Sequence, residues 1–272
     1  MTPEEYKKYY EEIIEPIMKK CWENKLNNQL KNEYENLPAL DITQEEVKKN
    51  LSCPFFIHLG QKYTEKKGIF IIGQETHGWG GKEDSVGKSF RRFEECGKAN
   101  KAQTMMEIQS EWLLLNYQYY IDSDFHNAVK AITGIATGKG FLESQFVWDN
   151  LIAVDYKKGS YRSLKKDCRD KIISYSQQKL IKELSIAKPK LAIFFIGSYA
   201  DGEDCFWSIF KGRLKKNDVE EVDDCPNLLH FDLNIDKHKI ECYATNHPSY
   251  KGWVNKNDVL RKLAEIVREA QK

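Results

Sequence analysis

Four short apolar segments separated by longer amphipathic segments constrain the fold of this chain most. The apolar segments are candidate strands, at residues 68–72, 146–154, 191–196 and 240–245. The segments between and after them have apolar residues at helical spacing, at 103–121, 124–136, 170–187 and 255–270. Strands that alternate with helices over such distances predict βαβ units and a parallel sheet with helices on both faces. We therefore expect a three-layer α/β/α sandwich with a central, mostly parallel four-stranded sheet.

The first sixty residues precede this alternating pattern and have helical character. Their apolar side chains lie at helical spacing on one face, at Tyr6, Tyr9, Tyr10, Ile13, Ile14, Ile17 and Met18. Pro16 is predicted to end or kink this helix, because proline removes a backbone donor. A short second helix is predicted to begin at Thr43. We therefore expect a helical extension over residues 1–60 and an α/β domain over residues 61–272.

Charge and hydropathy limit the classes of partner. The chain has 42 Lys and Arg against 41 Asp and Glu, so it lacks the strong basic excess of proteins that coat nucleic acids. A basic patch is still present at 157–171, with seven basic and two acidic residues. No apolar run approaches the ~20 residues of a membrane span, and the N-terminus has no apolar signal-peptide core. We expect a cytoplasmic, monomeric protein that does not bind membranes.

Polar residues follow each of the four candidate strands. They are Gly73-Gln74-Glu75-Thr76-His77, Asn150, Gly197-Ser198-Tyr199 and Asn246-His247-Pro248-Ser249. In an open parallel sheet, ligands bind at the carboxyl ends of the strands. We therefore expect the functional site at this edge of the sheet.

The sequence indicates neither a phosphate-binding loop nor a metal centre. Segment 87–89 has the Gly-Lys-Ser end of a P-loop, but Lys82 stands where that motif requires its first glycine. The potential metal ligands near the strand ends are Glu75, His77, Asp149 and His247. They lack the short spacings of common metal sites, and the seven scattered cysteines form no C-x-x-C pair. We therefore expect reduced thiols, no cofactor and no bound metal.

Taken in order, the strand-end motifs resemble those of the uracil-DNA glycosylase superfamily. Residues 73–77 are similar to the first motif of that family, and residues 78–80 extend the similarity to its single-strand-selective monofunctional branch. Residues 247–249 are similar to the second motif, a His-Pro-Ser loop. Asn150 resembles the strand asparagine that reads the flipped base, and residues 193–201 resemble the third core strand with its Gly-Ser turn. The resemblance covers about residues 66–270.

The chain departs from the family pattern within the first motif. Glu75 stands where the family has Asp or Asn, Thr76 where it has Pro, and His77 where it has Tyr or Gly. Glu75 still supplies a carboxylate, which is one methylene longer. The chemistry of the motif is therefore expected to carry over, whereas the identity of the excised base is not.

The resemblance implies a monofunctional DNA glycosylase that hydrolyses the N-glycosidic bond of a flipped damaged or modified base. Glu75 would stabilise the sugar cation and orient a water, and His247 would donate to the leaving base. Asn150 would read the base edge. The other substrate-binding residues implied are Gly73, Gln74, His77, Ser249 and Phe90, with Phe90 or its alternative Phe93 stacking on the base. The implied contacts to single- or double-stranded DNA are Ser198, Tyr250, Lys251 and Trp253.

Two other functions fit the same residues. One is a non-catalytic nucleic-acid-binding module of the same fold, and the other is a hydrolase of small N-glycosides, which the balanced charge favours. Structural roles are also open for single residues. Glu75 would cap a helix, Asn150 would be satisfied at the sheet edge, and Trp253 would pack beneath the C-terminal helix.

Overall fold

A six-stranded, mostly parallel sheet lies at the centre of the protein. The computed structural model describes residues 3–52, 54–75, 101–119, 123–135, 139–154, 156, 160–197 and 205–272. Their strands are β1 Ile69–Gly73, β2 Phe146–Asn150, β3 Leu191–Phe195, β4 Glu220–Glu221, β5 Leu228–Ile235 and β6 His238–Thr245. The strand order is β2-β1-β3-β6-β5-β4. The first four strands in this order pair in parallel, and β5 and β4 add antiparallel pairs.

The prediction of a four-stranded sheet is wrong in its strand count. The four predicted strands all form and pair in parallel, but β5 and the two-residue β4 extend the sheet at one edge. β5 and β6 are joined by Asp236 and Lys237, which both have positive φ, 47° and 66°. Two such residues are typical of a type I′ hairpin turn. This turn contains neither glycine nor asparagine, so the sequence has no clear hairpin signal there.

Long helices occupy the segments with helical spacing. The helices are α1 Pro3–Tyr9, α2 Glu15–Trp22, α3 Lys25–Glu35, α4 Glu45–Lys49, α5 Lys101–Tyr119, α6 Asp124–Thr133, α7 Lys139–Leu142, α8 Lys166–Ala187, α9 Phe206–Ile209 and α10 Lys256–Gln271. A π-helical turn over Tyr10–Ile14 joins α1 to α2. Pro16 therefore lies in the first turn of α2, and the chain stays helical because the wider turn before it changes the hydrogen-bond pattern.

Alternate side chains of the central strands enter two apolar clusters on opposite faces of the sheet. Phe70 and Phe194 belong to a cluster that includes residues of α3, α5 and α8. Ile71 and Phe195 belong to the other, which includes residues of α2, α6 and α10. Helices from the first sixty residues thus contribute to both faces of the same core. The domain boundary at residue 60 stays a prediction.

Two expectations from the sequence, on membrane spans and on the cysteines, concern the described helices and core. No helix within the described ranges is both long and apolar enough to cross a bilayer. The described cysteines are unpaired and buried, at Cys21, Cys168, Cys205, Cys225 and Cys242. Burial raises the pKa of Cys21 to about 12, so its thiol stays protonated at neutral pH.

Candidate functional site

Gly73 makes room for the side chain of Asn150 at the carboxyl ends of β1 and β2. The two residues are paired across these strands. A Cβ atom on Gly73 would lie 2.8 Å from Oδ1 of Asn150 and 3.4 Å from Cε2 of Phe125. Real Cβ atoms do not approach a neighbour within 3.0 Å without displacing it. Glycine at position 73 is therefore required for the asparagine to lie over the end of β1.

Asn150 is buried, and one of its donors has no partner among the described residues. Only 2% of the residue is exposed, and its Nδ2 makes no hydrogen bond to any residue that the structure describes. The backbone N–H of the same residue does have a partner, since it donates to Oδ1 of Asp149 at 2.7 Å. A buried donor without a partner costs about 1–3 kcal/mol. A ligand that accepts a hydrogen bond from Nδ2 would recover this free energy.

The imidazole of His247 is oriented by its own loop. The Ser249 backbone N–H donates to Nδ1 of His247 at 3.3 Å, and the Ser249 hydroxyl lies 2.7 Å from the same atom. Because Nδ1 accepts, we assign the proton of the neutral ring to Nε2. The ring stacks on Phe125, with centroids 6.0 Å apart and planes 19° from parallel. His247 therefore holds an N–H donor in a fixed direction.

The ends of β1, β3 and β6 are joined beside His247. Gln74 Nε2 donates to the carbonyl oxygen of Ile196 at 2.6 Å, which links β1 to the end of β3. Gly197 follows with φ of 49°, and a Cβ atom there would lie 3.1 Å from the backbone nitrogen of His247. Glycine satisfies both the positive φ and the close approach. Gln74 thus stabilises the arrangement of strand ends with its side-chain amide.

Glu75 extends from β1 towards the connection between β2 and α8. Its Oε2 accepts from the backbone N–H of Tyr161 at 3.4 Å, where a short 3₁₀-helix begins. The residue is half-buried. Glu75 follows the end of β1 by two positions, and Asn150 is the last residue of the neighbouring β2. A carboxylate is suited to stabilising positive charge or orienting a water.

The loop after His247 exposes two large hydrophobic side chains. Tyr250 is 57% exposed and Val254 is 99% exposed, and these are the large hydrophobic residues exposed in the described part of the chain. Lys251, between them, is also exposed. Trp253 is only 6% exposed and belongs to the apolar cluster that contains Leu263 of α10. Trp253 thus packs in the core, as in the alternative considered for it above, and does not share the exposure expected of a DNA contact.

Sequence reasoning missed three aromatic residues that adjoin the site. The Phe125 ring stacks on the Trp148 ring, with centroids 5.0 Å apart, and also on the His247 ring. His126 contacts Trp148 edge-on at 5.4 Å, and burial lowers the pKa of His126. The only sequence signal is Ser123, whose hydroxyl accepts from the His126 backbone N–H and caps α6. A capping residue predicts where a helix begins but not which site its first turn meets.

His77, Phe90, Phe93 and Ser198 lie outside the described residues. Within the described ranges, no three His, Cys, Asp or Glu side chains are grouped so that they could hold a metal ion.

No family model matches this chain, and no curated protein matches it. That the chain belongs to the uracil-DNA glycosylase superfamily therefore stays a prediction, which depends on the four motifs.

Proposed function

We propose that this protein is a monofunctional DNA glycosylase that hydrolyses the N-glycosidic bond of a damaged or modified base, on an α/β/α fold of the uracil-glycosylase type. The observation that carries the proposal is that Asn150 and Phe125 both lie beside Gly73, and that Phe125 also stacks on His247. This arrangement combines a buried amide donor that has no partner among the described residues, an aromatic ring and an oriented imidazole N–H. These are the groups that recognition of a planar, polar base requires.

The reaction would begin with recognition of an extruded base. Asn150 Nδ2 would donate to an acceptor on the base edge, and Phe125 would supply apolar contact. As the bond from the base to C1′ lengthens, its electron pair moves to the base, which becomes anionic. The Nε2–H of His247 would stabilise that anion electrostatically without giving up its proton.

The sugar left behind carries positive charge at C1′. The Glu75 carboxylate would stabilise this cation and orient a water towards C1′. The water oxygen forms the new bond to C1′, and one of its protons passes to Glu75 and then to solvent. The base anion takes up a proton from solvent. No lysine is needed, so the product is an intact abasic site.

The loop after His247 supports the choice of DNA over a small substrate. Extruding a base from a duplex costs a few kcal/mol. The exposed Tyr250 and Val254 would contact the remaining bases, and stacking of an aromatic ring on a base is worth about 1–3 kcal/mol. Lys251 adds positive charge in the same loop.

The test is single-turnover excision from oligonucleotides that carry uracil, hypoxanthine or a 5-substituted pyrimidine. We expect alkali-labile abasic sites with at least one of these substrates. Glu75→Gln is expected to lower the excision rate constant by at least about 100-fold, a loss typical of a missing general base, with DNA affinity retained. The matched control is Glu220→Gln, because Glu220 lies exposed on β4. This control should leave the rate unchanged.

The alternatives predict different results in the same experiments. A non-catalytic binding module would bind the oligonucleotides with salt-dependent affinity and produce no abasic sites. A hydrolase of small N-glycosides would cleave free nucleosides at a rate that is insensitive to salt. Either outcome would refute the proposed function. Full excision activity in Glu75→Gln would refute the role of Glu75.

A further inference from the structure

A chain of buried polar groups connects the N-terminal helices to the end of β2. Nζ of Lys179, on α8, lies 2.5 Å from Oδ1 of Asp149 and 2.8 Å from Oε2 of Glu183. The Tyr34 hydroxyl of α3 donates to the other oxygen of Glu183 at 2.5 Å. The same hydroxyl accepts from the backbone N–H of Ile57 at 3.2 Å. The chain therefore runs from the segment before β1 to the residue that precedes Asn150.

Stability alone does not account for this arrangement. Asp149, Lys179 and Glu183 are all 0% exposed. Transfer of charged groups from water into the interior carries a large desolvation penalty, and a buried ion pair is often no more stabilising than apolar residues of similar volume. Such groups are retained in some proteins because they specify one arrangement of their surroundings. The arrangement specified here involves the end of β2.

Burial and the neighbouring charges shift the pKa values of two residues in this chain of polar groups. Burial, reinforced by the nearby Asp149 carboxylate, raises the pKa of Glu183. Burial by itself would lower the pKa of Lys179, but the two adjacent carboxylates raise it. Lys179 thus stays protonated and holds the Asp149 carboxylate in place.

Asp149 in turn holds the backbone of Asn150. β2 is an edge strand, and Leu151 donates its N–H to Gly73 of β1. The N–H of Asn150 points to the opposite side, because successive N–H groups of a strand alternate in direction. Within the described residues no strand pairs with that side of β2, and Oδ1 of Asp149 accepts that N–H at 2.7 Å. The orientation of Asn150, whose side chain lies over Gly73, therefore depends on a carboxylate that Lys179 fixes.

We propose that Lys179, Glu183 and Tyr34 are positioning residues for Asn150, so that the N-terminal helical segment forms part of the functional unit. The role in base recognition rests on the proposed function. The effect on the Asn150 backbone does not rest on it, and it can be measured without any substrate.

The first measurement is hydrogen exchange of backbone amides, followed by NMR in the full-length protein. Lys179→Met keeps most of the length of the side chain and removes its charge. We expect exchange at the Asn150 amide to rise at least about tenfold relative to the amide of Ile193, which lies in the neighbouring core strand β3. Tyr34→Phe removes only the hydroxyl and keeps a ring that stacks on Phe56 at 4.0 Å. It should produce a smaller increase in the same place.

The matched control is Lys182→Met on the same helix. Lys182 forms a surface ion pair with Glu33 at 2.9 Å, and its side chain is 51% exposed. This variant should leave Asn150 exchange unchanged. Lys179→Arg, which keeps the charge, should restore part of the protection lost in Lys179→Met. If Lys179→Met does not fold, Glu183→Gln is measured in its place, with the same expected direction.

Excision provides the second measurement. We expect Lys179→Met to lower the single-turnover rate by about 10- to 100-fold, since small displacements of a recognising group have effects of this size, with DNA affinity within about twofold of the parent. If Asn150 and Ile193 exchange change equally, the network is structural only and the positioning role is wrong. If the parent protein excises no base, the proposed function fails, and the exchange comparison still decides the positioning role.

Discussion

Replacing Tyr250 with alanine tests whether the loop after His247 contacts DNA. The residue is 57% exposed, so truncation removes little packing and should change the free energy of unfolding by less than about 0.5 kcal/mol. Loss of a base–aromatic stack is worth about 1–3 kcal/mol of binding free energy. That range corresponds to an increase in Kd of about 5- to 140-fold. We therefore expect a large effect on affinity and almost none on stability.

Trp253 provides the contrasting substitution, three residues away in the same loop. Its side chain is 6% exposed and packs in the apolar cluster on the α10 face of the sheet. Truncation of a buried tryptophan to alanine typically costs about 3–5 kcal/mol of stability. Trp253→Ala should therefore lower the melting temperature strongly. Val254→Ala, at a residue that is 99% exposed, should leave the melting temperature unchanged.

The assay combines two measurements on each variant. Fluorescence anisotropy with a lesion-containing duplex gives Kd at one fixed salt concentration, since affinity for DNA depends on salt. Thermal unfolding, followed by circular dichroism, gives stability. The reasoning is refuted if Tyr250→Ala binds the duplex like the parent protein. It is also refuted if Tyr250→Ala lowers the melting temperature as much as Trp253→Ala does.

Three further predictions concern pH, packing and the site. Burial lowers the pKa of His58 to about 3, whereas the pKa in the unfolded state is about 6.5, so the unfolded state binds the proton first as the pH falls. The protein should therefore lose about 2 kcal/mol of stability from pH 7.5 to pH 5 through this residue. Urea unfolding of His58→Gln at the two pH values should lack that loss. Gly60→Ala should lower the free energy of unfolding by about 1–3 kcal/mol in urea, because its Cβ would lie 2.2 Å from the carbonyl oxygen of Leu142. An unchanged urea midpoint would contradict this contact. Gly73→Ala should displace the Asn150 side chain and lower the rate constant of excision by at least about tenfold, which matches the cost of one lost hydrogen bond. An unchanged rate constant would show that Asn150 is not needed where it lies.

Local patterns predicted most of the regular structure of this chain. The apolar runs that became β1, β2, β3 and β6 are short and continuous, which is typical of strands covered on both faces. α6 and α10 have apolar stripes with clear spacing, whereas the buried face of α8 also carries Lys179 and Glu183. The strand-end residues Gly73, Asn150 and His247 could be expected at one edge of the sheet, because parallel strands place their carboxyl ends together. The hairpin of β5 and β6 could not, because Asp236 and Lys237 are not residues that mark a type I′ turn.

The sequence by itself thus determined the parallel strands, the helices that cover them and the edge at which polar residues collect. Only the tertiary structure decided which of these residues are buried and what they contact. Tyr250 and Trp253 look equivalent in the sequence, yet one is exposed and the other packs in the core. The contact of Phe125 with His247 and of Lys179 with Asp149 joins segments that are distant in the chain. The physical reason is that spacing within one element reports which face a residue occupies, whereas burial and partners depend on which faces of different elements meet.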